Sequence, residues 1–145
     1  GLPQPFHGVG HDTRTLERGA LYVALAGERF DGHDFVPAAF AAGATGAVVR
    51  RDYRSPGALR PLLRVTDTTA ALGAMASGYR RELAPFLLGV TGSVGKTTVT
   101  AWTARLLAEC LPTACTRHNF NNHIGLPLSL LAMRPIRARG CLKSA

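Results

Sequence analysis

The stretch "GVTGSVGKTTVT", from Gly89 to Thr100, has the pattern of a phosphate-binding loop. It follows the apolar run "FLLGV" (Phe86 to Val90), which predicts a strand buried on both faces. It leads into an amphipathic segment, which predicts a helix from about Thr97 to Cys110. Because the first amides of a helix have no partner within the helix, a strand, a glycine turn and a helix in this order form an anion site. The stretch therefore predicts an α/β protein that binds a nucleotide.

Single residues of this loop have predicted roles. Lys96 can reach the β- and γ-phosphates and is the predicted catalytic residue, while the Thr97 hydroxyl can bind Mg²⁺. Gly92 and Gly95 allow a positive φ and leave room for phosphate oxygens. The predicted ATP-binding residues are Thr91, Gly92, Ser93, Val94, Gly95, Lys96, Thr97 and Thr98. The alternative is a glycine turn before a helix with a solvent-exposed lysine.

Upstream of the loop, strand and helix patterns alternate. Strands are predicted at "ALYVAL" (Ala20 to Leu25), "GAVVR" (Gly46 to Arg50) and "PLLRV" (Pro61 to Val65). Helices are predicted over 36–42, ended by Gly43 in a left-handed conformation, and over 67–83, capped by Asp67 or Thr66. This alternation is typical of α/β domains.

Pro85 interrupts the chain after the second of these helices and marks a predicted domain boundary at 82–86. Downstream of the loop helix, "TACT" (113–116) predicts a short strand. "PLSLLAM" predicts the start of a helix with Pro127 in its first turn.

Composition restricts the class of protein. The 145 residues are 46% hydrophobic, which is enough for a buried core, and no run has the length of a membrane span. The net charge is +8, but Arg134, Arg137, Arg139 and Lys143 crowd the last twelve residues, and the rest holds 13 basic and 9 acidic residues. We therefore predict no nucleic-acid partner, although a basic nucleic-acid-binding module remains an alternative. The three cysteines lack metal-ligand spacing and indicate reduced thiols in a cytoplasmic protein.

The loop "TGSVGKTT" resembles the ATP loop of the Mur ligases, in which Gly92 replaces the first glycine of the common template, here Val90. "HDTRTLERGALYVALAGERFDGHDF", residues 11–35, resembles the N-terminal domain of the same family. The resemblance implies a small N-terminal α/β domain over 1–84, which lacks its start and binds the uridine diphosphate (UDP) end of the substrate. Residues 85–133 are then the beginning of a central ATP-binding, P-loop parallel-sheet domain.

The predicted UDP contacts are Thr13, Arg14 and His33. Thr13 offers a hydroxyl and Arg14 a charged fork for uracil and pyrophosphate oxygens, and the His33 ring can present a nitrogen to a ligand. Each residue has a simpler interpretation, since Asp-Thr-Arg is a common turn and a single histidine is usually a surface residue.

"HNFNNHIGLPLSLLAM", residues 118–133, resembles the branch of the family that joins D-alanyl-D-alanine to UDP-N-acetylmuramoyl-tripeptide. This resemblance implies substrate or phosphate contacts by Asn119, Asn121 and Asn122. It also implies ATP- and Mg²⁺-dependent amide formation through an acyl phosphate in peptidoglycan synthesis, by a monomer without a membrane partner. An asparagine-rich turn, a member adding an earlier amino acid, and an inactive nucleotide-binding fragment are the alternatives.

The tail "RPIRARGCLKSA", residues 134–145, departs from the family pattern, which continues into a Val-Leu-Glu-Ile-Gly type of strand. One codon string that encodes Gly140 to Ala145 gives Val-Leu-Glu-Ile-Gly when it is read in the neighbouring frame. Our hypothesis is a frameshifted tail, which sequencing of the gene tests.

Overall fold

The computed structural model describes residues 6–27, 30–57, 61–116 and 122–133. Its centre is a four-stranded parallel sheet in the order β1-β2-β3-β4. The strands are β1 (Val9–Gly10), β2 (Leu21–Val23), β3 (Gly46–Arg50) and β4 (Leu62–Val65). The predicted α/β class is confirmed, and the predicted strands correspond to β2, β3 and β4. The sequence missed β1, because a strand of two residues has no periodic pattern.

The helices lie close to their predicted positions. They are α1 (Val36–Ala41), α2 (Thr68–Leu83), α3 (Lys96–Ala108) and α4 (Gly125–Leu131), and a 3₁₀ turn over Gly32–Phe35 precedes α1. Gly43 follows α1 with φ at 104°, the predicted left-handed stop. The Asp67 carboxylate accepts hydrogen bonds from the amides of Thr69 and Ala70 at 2.7 and 3.0 Å, which confirms the predicted cap. The 3₁₀ turn was not predicted.

Both faces of the sheet are covered. Successive side chains of β2 point to opposite faces, so Tyr22 and Ala24 pack under α1 while Leu21 and Val23 pack under α2. Leu72 of α2 is completely buried in this second cluster. Helix α4 packs against the same cluster through Leu128 and Leu131, and Ile124, the residue before α4, joins them. The protein is therefore built in three layers, and α4 belongs to the layer that holds α2.

Two predicted strands were wrong. Residues 86–90 and 113–116 form no strand, and Phe86 is 83% exposed and Leu88 58% exposed. A parallel strand satisfies its amides and carbonyls on a neighbouring strand, and the strands described in this chain all belong to β1-β2-β3-β4. Apolar composition alone therefore did not make these segments strands.

Helix α3 starts one residue earlier and ends two residues earlier than predicted. The side of α3 that carries Val99, Trp102 and Leu106 is exposed, and no residue of this fully described helix is buried. Among the described residues no helix has the length and apolar character needed to cross a membrane.

Candidate functional site

One edge of the sheet collects the polar side chains that follow the strands. Because the strands are all parallel, the residues after them line the same edge, where α/β proteins bind ligands. Asp12 and Arg14 follow β1, Asp31 follows β2, and Arg50 ends β3. The Tyr22 hydroxyl donates to the Gly32 carbonyl at 3.0 Å, and its burial together with the charges of Asp12 and Asp31 raises its pKa to about 12. We call this place the carboxyl edge.

Arg14 is paired with Asp12 at the carboxyl edge. Its Nε donates to Asp12 Oδ1 at 2.9 Å, its Nη2 donates to Oδ2 at 2.6 Å, and its main-chain amide donates to Oδ1 at 3.0 Å. These bonds lower the pKa of the Asp12 carboxyl to about 2. The guanidinium remains 85% exposed, and its Nη1 hydrogens take no part in the pair. Asp12 thus orients the Arg14 guanidinium, which is open to solvent, and the half-buried Thr13 lies next to Arg14 in the chain.

His33 lies in a different setting from the one predicted. Its ring is buried; Nδ1 lies 2.5 Å from Asp31 Oδ1, and Nε2 accepts the Arg50 amide hydrogen at 2.9 Å. Since a donor faces Nε2, that nitrogen is unprotonated and Nδ1 carries the hydrogen. Both ring nitrogens are used within the chain, so the structure does not support the prediction that His33 presents one to a ligand.

The sequence missed the partners of the predicted residues. Asp31 accepts both the amide and the ring hydrogen of His33, and the Arg50 guanidinium lies 3.4 Å from its other oxygen. Hydrogen bonding to the His33 amide is the main cause that lowers the Asp31 pKa, with the His33 ring and the Arg50 charge adding to it. The available signal was an aspartate placed two residues before a side chain that needs orienting, as in Asp12-x-Arg14 and Asp31-x-His33.

The glycine loop has the predicted backbone. Gly92 and Gly95 have φ at 148° and 80°, and α3 begins at Lys96. No side chain of the described residues caps α3, so its first amides face outward. Lys96 Nζ donates to the Gly92 carbonyl and lies 3.5 Å from the Ser93 carbonyl oxygen. Residues 91–98 are all exposed. The loop thus presents amides, a lysine and hydroxyls on one accessible surface.

Asn122 caps the start of α4. Its Oδ1 accepts hydrogen bonds from the amides of Ile124 and Gly125 at 3.2 and 2.7 Å. The predicted contacts Asn119 and Asn121 lie outside the described residues, as does the tail 134–145. The Asn122 side-chain oxygen therefore stabilises the start of α4, and the side-chain amide hydrogens of Asn122 remain as donors for a ligand.

A cleft of about 920 Å³ runs along β1 and includes Asp12 of the carboxyl edge. One wall is formed by residues 6–12 and the turn after β1, and the other by the second half of α4 and the two residues that follow it. Asp12 and Glu17 lie on the first wall, and Leu128 and Met133 lie on the second. Among the described residues no group of three histidine, cysteine, aspartate or glutamate side chains is placed to hold a metal ion. The predicted Mg²⁺ contact of Thr97 stays a prediction.

These features define an α/β protein with a charged carboxyl edge and a glycine loop before a helix. Family models match both parts of the chain: "Mur ligase family, catalytic domain" matches residues 5–80, and "Mur ligase middle domain" matches residues 90–141. The chain belongs to the Mur ligase family.

Three individual relatives are similar to this chain over most of its length. The UDP-N-acetylmuramoyl-tripeptide–D-alanyl-D-alanine ligase of Bacillus subtilis is 46% identical over 88% of this chain. A crystal structure of MurF from Acinetobacter baumannii matches 90% of the chain with a TM-score of 0.79 and 37% identity. MurF from Thermotoga maritima in complex with ADP matches 86% with a TM-score of 0.73 and 31% identity. The chain spans about 28% of the length of each of these relatives.

Proposed function

We propose that the chain is part of an ATP-dependent ligase that joins D-alanyl-D-alanine to UDP-N-acetylmuramoyl-tripeptide. The 46% identity to the Bacillus subtilis ligase of that name, extending over both parts of the chain, carries this proposal. Within the ligase, the carboxyl edge binds the UDP end of the substrate and the glycine loop binds ATP. Peptidoglycan synthesis, a cytoplasmic location and a monomeric state belong to the same proposal.

The charge at the carboxyl edge supports a UDP site. Pyrophosphate oxygens accept hydrogen bonds best from a preorganised guanidinium, and Asp12 holds the exposed Arg14 in one orientation. The half-buried Thr13 offers its hydroxyl from the same turn. The cleft beside Asp12 has a volume suited to the rest of a small-molecule substrate.

The glycine loop supports ATP as the second ligand. Its positive-φ glycines and the uncapped amides of α3 suit phosphate oxygens. When a phosphate binds, the Lys96 ammonium exchanges the Gly92 and Ser93 carbonyls for phosphate oxygens. Lys96 then stabilises the charge that develops as the γ-phosphoryl group moves to the substrate carboxylate. In this proposal the Thr97 hydroxyl would help to hold Mg²⁺, which would supply positive charge for phosphoryl transfer.

The chemistry that follows forms an amide through an acyl phosphate. The substrate carboxylate attacks the γ-phosphate and ADP leaves. The amine of D-alanyl-D-alanine then attacks the acyl carbon and phosphate leaves. Residues 6–133 supply the UDP contacts and the phosphate loop, and we propose that the residues beyond this span in the relatives are needed to bind the amine.

A ligation assay tests whether this chain forms the amide without the further residues that its relatives contain. The chain is incubated with UDP-N-acetylmuramoyl-tripeptide, D-alanyl-D-alanine and Mg·ATP, and ligated product and released phosphate are measured. We expect no ligated product, because the chain spans about 28% of the length of its relatives. Ligation by this chain alone would refute the fragment interpretation.

The substrate assignment has a separate test. Binding of the UDP-linked tripeptide is compared with binding of the UDP-linked dipeptide, the substrate of a ligase that adds an earlier amino acid. The proposal expects the tripeptide to bind more tightly. Equal or tighter binding of the dipeptide would favour the alternative member of the family.

A further inference from the structure

The buried imidazole of His33 contacts three segments at the carboxyl edge: the segment after β2, the end of β3 and the segment after β3. Its Nδ1 bonds Asp31, which follows β2, and its Nε2 bonds the amide of Arg50, the last residue of β3. The ring is also 5.6 Å from the Tyr53 ring, which lies beyond β3. No ring nitrogen is left for a ligand, although the residue stands where the UDP end is proposed to bind.

The backbone next to His33 approaches β2 closely. The Gly32 amide donates to the Leu25 carbonyl at 2.8 Å, and the Tyr22 hydroxyl donates to the Gly32 carbonyl at 3.0 Å. Ala26 and Asp31 form an isolated antiparallel bridge. These bonds fix the 3₁₀ turn to the end of β2, and His33 extends from this turn to the end of β3.

The tautomer of His33 is set from both sides. The Arg50 amide can donate only to an unprotonated Nε2, and the Asp31 carboxylate accepts the hydrogen on Nδ1. The Arg50 guanidinium lies 3.4 Å from Asp31 Oδ2 and 3.4 Å from Asp52 Oδ1. Adding a proton to Nε2 would place two N–H donors face to face. The neutral Nδ1–H ring is therefore the form that joins β2 to β3.

We propose that His33 is a positioning residue for the carboxyl edge: it fixes the segment after β2 against the end of β3 and does not touch the ligand. The bonds to Asp31 and Arg50 carry this role in the free chain. Its effect on UDP binding rests on the proposed function. Asp31 shares the role, since it orients the ring through its carboxylate.

Nuclear magnetic resonance on the whole chain without ligand first tests the two hydrogen bonds of the His33 ring. Ring ¹⁵N signals are expected to show His33 protonated at Nδ1 and bare at Nε2, and the Arg50 amide is expected to exchange slowly with solvent. His33→Phe keeps an aromatic ring but removes both bonds, and we expect Arg50 exchange to become about tenfold faster. His33→Gln, whose side-chain oxygen can accept the Arg50 hydrogen, is expected to restore part of the protection.

The matched control is His123→Gln, a substitution of an exposed histidine that leaves Arg50 exchange unchanged. A protonated Nε2 in the wild-type chain, or an Arg50 amide that is unaffected by His33→Phe, overturns the proposal. The tautomer measurement needs no variant, so it decides even if His33→Phe does not fold.

Titration with UDP then separates positioning from direct contact. We expect UDP to leave the His33 ring signals in place, to bind about tenfold more weakly to His33→Phe, and to regain affinity with His33→Gln. Displacement of the ring signals as large as that of the Arg14 signals would assign a direct contact and overturn the positioning role. If wild-type chain does not bind UDP, the proposed function fails, and the free-chain result alone decides whether the His33 ring makes these two hydrogen bonds.

Discussion

Arg14 and Asp12 show how a single pair of side chains prepares the carboxyl edge. The sequence identified Arg14 by its motif, and the structure adds that Asp12 accepts from both its main chain and its guanidinium. His33, predicted as a ligand contact, is buried and bonds Asp31 and the Arg50 amide through its ring nitrogens. Residue types could be predicted from the sequence, but their partners could not, because partners depend on turn geometry and on contacts between distant segments.

The stabilisation by the Asp12–Arg14 pair is expected to depend on pH. The pKa of the Asp12 carboxyl is lowered to about 2 chiefly by hydrogen bonding from Arg14, below the value of about 3.9 in an unfolded chain. The stabilisation by the pair is therefore complete above about pH 4 and is lost as the pH falls towards 2. Carboxyl ¹³C titration of Arg14→Ala should show the Asp12 pKa raised towards its ordinary value. An unchanged Asp12 pKa in this variant would contradict the assignment.

Gly32 is expected to tolerate no side chain. A Cβ at this position would lie 2.7 Å from both the nitrogen and the oxygen of the Leu25 main chain, and neither atom can move without shifting the end of β2. Gly32→Ala should lower the free energy of unfolding by about 1–3 kcal/mol in urea denaturation.

Gly78→Ala is the matched control for Gly32→Ala. Gly78 lies within α2 with nothing within 4 Å of an added Cβ, so alanine should stabilise the protein by about 0.5–1 kcal/mol. Equal effects of the two substitutions would show that the close approach at Gly32 is absent in solution.

At the scale of elements, capping and burial decided which sequence patterns became structure. The predicted helix over 67–83 corresponds to α2, because it combines a capping aspartate with an apolar face that meets the sheet. The apolar run at 86–90, predicted as a strand, pairs with no neighbouring strand in the described part of the chain and is irregular. The local sequence pattern therefore predicted an element correctly where the surface that the element packs against lies within the described residues.

The cap of α2 can be measured directly. Asp67→Ala removes the acceptor for two amides and should cost about 1 kcal/mol of unfolding free energy, whereas Asp67→Asn keeps an acceptor and should cost less. Thermal denaturation of both variants followed by circular dichroism checks this order. Equal losses for the two variants would show that the charge of Asp67, and not its hydrogen bonds to the amides, carries the effect.

Helices α2 and α3 differ in how much they contribute to the core. Leu72 in α2 is completely buried and Leu106 in α3 is 70% exposed. Leu72→Ala should lower the free energy of unfolding by about 2–5 kcal/mol, and Leu106→Ala should change it by less than about 0.5 kcal/mol. Urea denaturation of the two leucine variants makes the comparison. Similar losses would show that α3 is packed in solution.

For the whole molecule, the parallel sheet brings the ends of β1, β2 and β3 to one edge, and the family match extends over both parts of the chain. The class of fold followed from the alternation of strands and helices. The cleft between the β1 segment and α4 could not be predicted, because it depends on α4 packing beside α2, far away in sequence. The domain limits at 84–85 and the frameshifted tail remain predictions.

Calorimetric titration of UDP into the wild-type chain, Arg14→Ala and Lys96→Ala distinguishes the carboxyl edge from the glycine loop as the UDP site. We expect UDP to bind at the carboxyl edge and not at the glycine loop. Loss of a charge-assisted hydrogen bond should weaken UDP binding by Arg14→Ala at least about tenfold. Lys96→Ala should keep wild-type affinity for UDP. Equal UDP affinity of Arg14→Ala and wild type, or a loss confined to Lys96→Ala, would contradict this expectation.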